Sequence, residues 1–325
     1  MGATVMSDHD ITETGEIMKV FVTGASGHIG QLVTAELVGA GHEVVGLARS
    51  DAGAERVAKQ GGIPVVGTMD ETARLAELAA ESDGVVNLAF KHDSGDFAEA
   101  LAADRALIEA IAGALEGSGK PFFAASGTMM VANAGAPGTA SGAAATEDTP
   151  FDPAHAHPRA VTDHLLRELS KRGIRSAALR FAPTVHGPAD LHGFIPSLIE
   201  GARRDGTFGY IGEGENRWPA VHNLDTAHLI RLALEKDDLP AGVALHFAAD
   251  EGIPFRQIAE AIGRGVGVPV GPVAPEEGAT RYGFVGSFIG IDNPTSSAQT
   301  RELLKWEPTH NGLLEDLADG FYFRR

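Results

Sequence analysis

The 325-residue chain contains no cysteine. That excludes disulfides, thiolate metal centres and cysteine nucleophiles together, and it suits a reducing cytoplasm, the expected location. Basic residues are short as well: 26 lysines and arginines against 44 aspartates and glutamates leave a formal charge of −18. Nucleic acids and anionic membranes are recognised by basic stripes, so neither is expected as a partner, and the acidity reads as solubility. No apolar run approaches the roughly 18 residues of a membrane-spanning helix. The opening MGATVMSDHDITETGEI lacks the apolar centre of a signal peptide, and residues 1–17 read as a disordered extension.

What remains is rich in glycine, alanine and valine, in a regular alternation. Apolar, β-prone runs occupy Lys19–Thr23, Glu43–Ala48, Pro64–Gly67, Gly84–Phe90, Pro121–Ala125 and Ser176–Ala182. Between them, Gln31–Ala40, Thr72–Ser82, Phe97–Leu115 and Val161–Arg172 carry apolar residues at helical spacing. Continuous apolar strands separated by helices predict an α/β fold, a doubly wound parallel sheet covered on both faces. Its ligand is then expected at the carboxyl ends of the strands. The nucleotide-binding unit is expected over residues 18–186, with 217–250 returning to it. Residues 187–325, richer in Pro, Gly and short elements, are expected to form a smaller substrate-side region. Gly135–Pro150 (GAPGTASGAAATEDTP) cannot pack a core and reads as a mobile flap.

The strongest motif is VTGASGHIG, Val22–Gly30, which follows the first strand and opens the first helix. Gly24 permits a tight turn, Gly27 lets backbone approach a pyrophosphate, and Gly30 lets helix and strand pack closely. With Thr23, Ser26, His28 and Ile29 it forms the expected diphosphate cradle of a Rossmann dinucleotide site, because a helix N-terminus offers N–H donors and partial positive charge. An NAD-specific site usually ends its second strand on Asp or Glu; here Ala48 is followed by Arg49 and Ser50. An arginine and a hydroxyl suit a 2′-phosphate, so NADP(H) is expected ahead of NAD(H). Asp51 reads as a helix N-cap.

These segments resemble the extended short-chain dehydrogenase/reductase family, which includes sugar-nucleotide epimerases, dehydratases and 3β-hydroxysteroid dehydrogenases. Thr23–Gly30 matches its T-G-x-x-G-x-x-G. VVNLAF (Val85–Phe90) resembles the fourth strand, FFAASGT the fifth, and LRFAPTVHGP (Leu179–Pro188) a segment ending V-Y-G-P with His186 in place of tyrosine. NRWPAVHNLDTA, carrying Arg217, His222 and Asp225, and SSAQTRELLKWEPT resemble later family segments. The resemblance implies cofactor contacts at Thr68, Met69, Leu88, Ala89, Phe90, Lys91, Pro183 and Val185, with His92 beside Lys91. It also implies a catalytic serine at Ser126, with Thr128 close behind, and a homodimer through Phe97–Leu115 and Val161–Arg172.

The departure lies in the acid/base pair. The family's Y-x-x-x-K, followed four residues later by an acid, aligns here with HAHPRAVTD: His155 stands for tyrosine, Arg159 for lysine and Asp163 for the acid. Histidine transfers protons near neutrality without a helper. Arginine holds ribose hydroxyls but does not release its proton. His186, His192, Phe194 and Arg217 are candidates for substrate contacts, each with an ordinary structural alternative. Arg203 and Arg204 face either an anionic substrate group or solvent. His155 and His157 with His186 or His192 suggest an imidazole metal site, but no ligand spacing supports it, so no metal is expected. The expected function is an NADP(H)-dependent oxidoreductase acting on a carbonyl-type carbon of a small molecule. The alternatives are a nucleotide-sugar epimerase or dehydratase, and a non-catalytic NADP(H) sensor.

Overall fold

A computed structural model describes residues 16–91, 95–133, 135–150 and 158–324. Its first part is strand–helix alternation: β1 (Lys19–Thr23), α1 (His28–Gly39), β2 (Glu43–Ala48), α2 (Asp51–Lys59), β3 (Ile63–Val66), α3 (Thr72–Ala80), β4 (Gly84–Asn87), α4 (Phe97–Leu115), β5 (Pro121–Gly127), α5 (Ala160–Glu168) and β6 (Arg175–Phe181). Then come β7 (Thr184–His186), α6 (Phe194–Asp205), β8 (Phe208–Ile211), β9 (Arg217–His222), α7 (Asn223–Glu235), β10 (Val243–Phe247), β11 (Asp250–Pro254), α8 (Phe255–Val266), β12 (Val270–Val273), α9 (Glu277–Gly286), α10 (Ala298–Leu304) and α11 (Leu313–Asp319).

Seven strands form one parallel sheet in the order β3-β2-β1-β4-β5-β6-β10. It is the doubly wound Rossmann architecture, and the order reverses between β1 and β4, where such sheets open a crevice. The alternating side chains of β1 show why both faces are covered. Val20 and Val22 enter one core with Val33 and Leu37 of α1 and Leu229 and Ile230 of α7. Phe21 enters the other, with Leu75 of α3, Leu107 and Ile111 of α4 and Leu166 of α5. A strand buried on both faces has to be apolar throughout, which is the pattern seen in the sequence.

A separate core joins α6, β8, β9, α8, α9 and α11 around Trp218, Phe208, Phe255 and Tyr282. Two small sheets belong to this side: β7 and β11 flank β9, and β12 pairs with β8. After β9 the chain runs through α7, against α1, and supplies β10 at the edge of the large sheet.

Three expectations are corrected. Helix α1 begins at His28, three residues before Gln31, because extended Gly27 (φ −78°, ψ 176°) starts the turn inside the glycine loop. The cap of α2 is Ser50, whose Oγ accepts from Gly53 N at 3.2 Å; Asp51 is the first helical residue. The stretch Gly135–Pro150 is a strap fastened along its length. Gly138 N donates to Gly290 O (2.8 Å), Glu215 N to Gly138 O (3.1 Å), Ala145 N to Pro294 O (2.8 Å) and Ser296 N to Ala145 O (2.8 Å). Small residues cannot pack a core, but they let backbone lie against backbone.

Candidate functional site at the carboxyl ends of the strands

The glycine loop is built by close approach. At Gly24 (φ +66°) a Cβ would sit 2.9 Å from Ala89 N and Leu88 C, so only glycine lets β1 turn against the end of β4. At Gly30 a Cβ would lie 2.1 Å from Gly24 O, so helix α1 starts directly on the loop. Gly27 is exposed, caps α1 without a side chain, and leaves the first amides of the helix aimed outward. This is the cradle a diphosphate requires. Ile29 is half-buried at its side. Ser26 lends its carbonyl to Gln31 Nε2 (3.1 Å) and to Arg56 Nε (3.3 Å), which ties α2 to the loop. Arg49 and Ser50 are exposed where β2 ends, beside this cradle in the fold.

Not every expected contact residue faces the crevice. Thr23 is fully buried; its hydroxyl donates to Asn87 Oδ1 and accepts from Ala89 N (3.2 Å), clamping β1 to β4. Leu88 N donates to Thr23 O (3.3 Å). The backbone N–H of Thr68 is held by Glu71, and Met69 is buried in the core. Lys91 pairs with Asp70 (2.8 Å) and Glu99 (3.8 Å), bridging the segment after β3 to α4. Asp70 raises the Lys91 ammonium above its ordinary value. Pro183 and Val185 are half-buried around β7.

Ser126 lies at the end of β5, 5% exposed, and donates to Asp163 Oδ2 at 2.7 Å. Asp163 is held by Arg180 of β6 through Nε–Oδ2 (2.8 Å) and Nη2–Oδ1 (3.1 Å), both residues being wholly buried. Arg180 Nη1 donates to Glu147 O (3.2 Å) and to His246 Nε2 (3.2 Å), while His246 Nδ1 donates to Ser296 O (2.8 Å). Burial above all holds His246 down to about 4, so it is neutral and able to accept from Arg180. A charged residue within the apolar run LRFAP was the available sequence signal for this hub, since a buried arginine needs a partner.

Arg159 caps α5 beside the same strand ends. Its guanidinium lies 4.2 Å from the centre of the Phe90 ring, and Nη2 donates to Ala125 O (3.1 Å). Below it on α4, buried Asp104 is pushed up to about 6 by desolvation, which the Arg159 charge partly opposes. Thr128 is fully buried and accepts from Asn293 Nδ2 at 2.7 Å, so it anchors the turn after β5. His155 lies outside the described residues, as do His157 and His92.

On the opposite rim histidines gather. His28, first residue of α1, accepts from Asn223 Nδ2 (3.0 Å). Burial first, then His192 and His222, lower it to about 4. Exposed His192 follows Asp190, which accepts from Gly193 N (2.8 Å) and Tyr322 OH (3.0 Å). His186 is buried and donates Nδ1–H to Asp316 at 2.6 Å. His222, Asp225 and His310 bring potential metal ligands together, yet their bonds serve another purpose. Nδ1 of His222 accepts from Leu224 N (3.2 Å), so the proton sits on Nε2, the one nitrogen left to ligate. His222 stacks flat on His310 at 4.7 Å, and Asp225 is held by the backbone of Thr309 and His310. That arrangement caps α7.

Arg217, expected at substrate, grips Asp292 with Nε (3.0 Å) and Nη2 (2.8 Å) and reaches Gly142 O (3.0 Å). It secures the strap. Arg203 donates to Phe323 O (2.8 Å), and Arg204 pairs with Asp205 (2.8 Å). Phe194 is half-buried at the start of α6.

Comparison with known proteins agrees with this construction. Residues 20–245 match the NAD dependent epimerase/dehydratase family. An uncharacterized protein of Schizosaccharomyces pombe is 42% identical, over 94% of this chain and the whole of that protein. A sterol-4-alpha-carboxylate 3-dehydrogenase (decarboxylating) of Dictyostelium discoideum is 24% identical over 73% of each chain. Among solved structures, UDP-glucose-4-epimerase from Stenotrophomonas maltophila, with bound NAD and a UDP-sugar, superposes with a TM-score of 0.73 at 20% identity, over 94% of this chain and 98% of that one. No helix among the described residues is long and apolar enough to cross a membrane. With a seven-stranded Rossmann sheet and a glycine cradle at its reversal point, the chain belongs to the NAD-dependent epimerase/dehydratase family of extended short-chain dehydrogenase/reductase enzymes.

Proposed function

We propose that this protein is an NADP(H)-dependent oxidoreductase that interconverts a carbonyl and an alcohol on a small molecule. The observation that carries the reading is the glycine cradle at Gly24–Gly30 at the carboxyl end of β1, in the same sheet as β5, whose end carries Ser126, with Arg159 at the start of α5 held over Phe90 beyond β4. A bound NADP(H) would supply or accept the hydride at nicotinamide C4. The chain's own residues do the rest. Amides of α1 hold the diphosphate, and Arg49 and Ser50 meet a 2′-phosphate. Arg159, steadied over Phe90, holds ribose hydroxyls. Ser126 donates its hydrogen bond to Asp163, so its lone pairs accept from a substrate hydroxyl; turning the O–H the other way addresses a carbonyl. His155 is the proton donor in this reading, on sequence grounds. An epimerase or dehydratase of nucleotide sugars is less well served, because Arg217 is engaged by Asp292 and the strap.

The test measures NADPH and NADH affinity by calorimetry, and NADPH oxidation against pooled aldehydes and ketones, in wild type and Arg49→Glu. NADPH is expected to bind more tightly than NADH, and Arg49→Glu to weaken NADPH by roughly tenfold or more through loss of a charge-assisted bond. An unchanged NADPH-to-NADH ratio in the variant would remove the cofactor assignment. Tight NADPH binding without turnover of any carbonyl would leave the sensor reading.

A further inference from the structure

We propose that the substrate carries an aromatic ring, and that Phe194, Phe284 and Phe288 receive it. This deepens the oxidoreductase reading above and rests on it. The three rings form one surface where α6 meets α9. Phe194 lies 5.7 Å from Phe288 and 6.3 Å from Phe284, and the latter two are 4.9 Å apart, edge to face. Phe284 is 59% exposed, and its two neighbours are only partly covered. A cluster of exposed aromatic side chains marks a binding surface far more often than a scattered one does.

The chain is shaped to present this surface. Helix α9 is broken at Gly283 (φ +60°, ψ −140°), a conformation that glycine tolerates and other residues resist, and Phe284 emerges directly after the break. Behind Phe194 stands Trp218, fully buried and 5.8 Å away, which gives the ring a fixed backing. The surface is also tied to the segment that follows Ser126. Met129, three residues beyond Ser126, packs into the same core as Phe194 and Phe288, and its turn is anchored by Thr128 to Asn293. The Thr128–Asn293 bond thus joins the turn after Ser126 to the segment that follows Phe288. A flat apolar group finds edge and face partners at the three phenyl rings, as aromatic pairs prefer.

Charge on this side favours the same class. Arg281 is engaged by Glu277, Arg256 by Glu260 and Arg204 by Asp205, so these guanidinium groups already carry carboxylate partners. A second diphosphate, as in a nucleotide sugar, meets little here to hold it.

The test is calorimetry on the NADPH-loaded full-length protein with 4-phenyl-2-butanone, 2-butanone and UDP-glucose, with NADPH oxidation followed in parallel. The phenyl ketone is expected to bind at least tenfold more tightly than 2-butanone and to outcompete UDP-glucose. Phe284→Ala, at an exposed position, should weaken the phenyl ketone about tenfold, and Phe194→Leu several-fold, with NADPH affinity unchanged in both. Equal affinity for the two ketones, preference for UDP-glucose, or an unaffected Phe284→Ala would overturn the proposal. Phenyl-ketone binding that depends on Phe284 but leads to no turnover upholds the ring site and removes the oxidoreductase reading. Turnover of 2-butanone without any aryl preference does the reverse.

Discussion

Ser126 and Asp163 share a 2.7 Å hydrogen bond inside the protein, the serine donating and the carboxylate accepting. Asp163 stands four residues after Arg159, so one short helix carries both the side chain over Phe90 and the one behind Ser126. The carboxylate also takes two bonds from Arg180, whose guanidinium is fixed in turn by His246 and the Glu147 carbonyl. The hydroxyl at the centre of the candidate site is therefore aimed by a hub that spans β5, α5, β6 and the strap.

The hub has a testable asymmetry. Asp163→Asn removes the negative charge that faces a wholly buried arginine, and breaking such a pair costs about 3–5 kcal/mol. Ser126→Ala leaves the Asp163–Arg180 pair intact and loses one hydrogen bond to a charged group, about 1.5–3 kcal/mol. Urea denaturation of both variants should show the first less stable than the second, while NADPH oxidation by folded Ser126→Ala drops steeply. Equal stability losses would mean that Arg180 finds its compensation elsewhere.

The sheet was readable because its chemistry is local. Predicted and observed boundaries coincide for β1, β2 and α4: continuous Val, Phe and Ala marks a strand buried on both faces, and Phe97–Leu115 keeps one helical stripe throughout. The glycine loop was readable because its close approaches admit no side chain. What escaped depends on partners distant in sequence. Gly135–Pro150 has the composition of a free loop, and the carboxylate that fastens Ser141 is Asp292, 151 positions away. Arg217 matches a family segment that suggests a substrate contact, and the carboxylate that engages it, Asp292, lies 75 positions away. The Arg180–His246 bond likewise joins strands 66 residues apart.

The strap yields the second prediction. Asp292 is buried and accepts from Arg217 Nε and Nη2, from the Arg217 and Ser141 backbone amides, and from Asn133. Arg217→Ala leaves the backbone donors and removes the counter-charge. Because the arginine is about one quarter exposed, the loss should be about 1–3 kcal/mol, below that of a fully buried pair. Arg217→Lys keeps the charge without the fork and should fall between wild type and alanine. Limited proteolysis mapped by mass spectrometry should show cutting within 135–150 accelerate in the same order. Unchanged cutting in Arg217→Ala would show that the backbone bonds to Gly290 and Pro294 suffice.

Acid sensitivity provides the third. His28, His222 and His246 are each lowered to about 4 from an ordinary value of 6.5, burial being the largest cause in every case. Between those two values the unfolded chain binds more protons than the folded one, so stability is full above pH 6.5 and declines as pH falls toward 4. One such shift corresponds to at most about 3 kcal/mol. Asp104 runs the other way: burial raises it to about 6 from 3.8, so its contribution is present below 3.8 and lost as pH rises through 6. Melting temperature across pH 4–8 should therefore drop on the acid side. His28→Asn should flatten that limb, and Asp104→Asn should stabilise the protein at pH 8 while leaving it unchanged at pH 4. If His28→Asn preserves the full acid decline, the decline belongs to His222 and His246, whose neutral rings cap α7 and accept from Arg180.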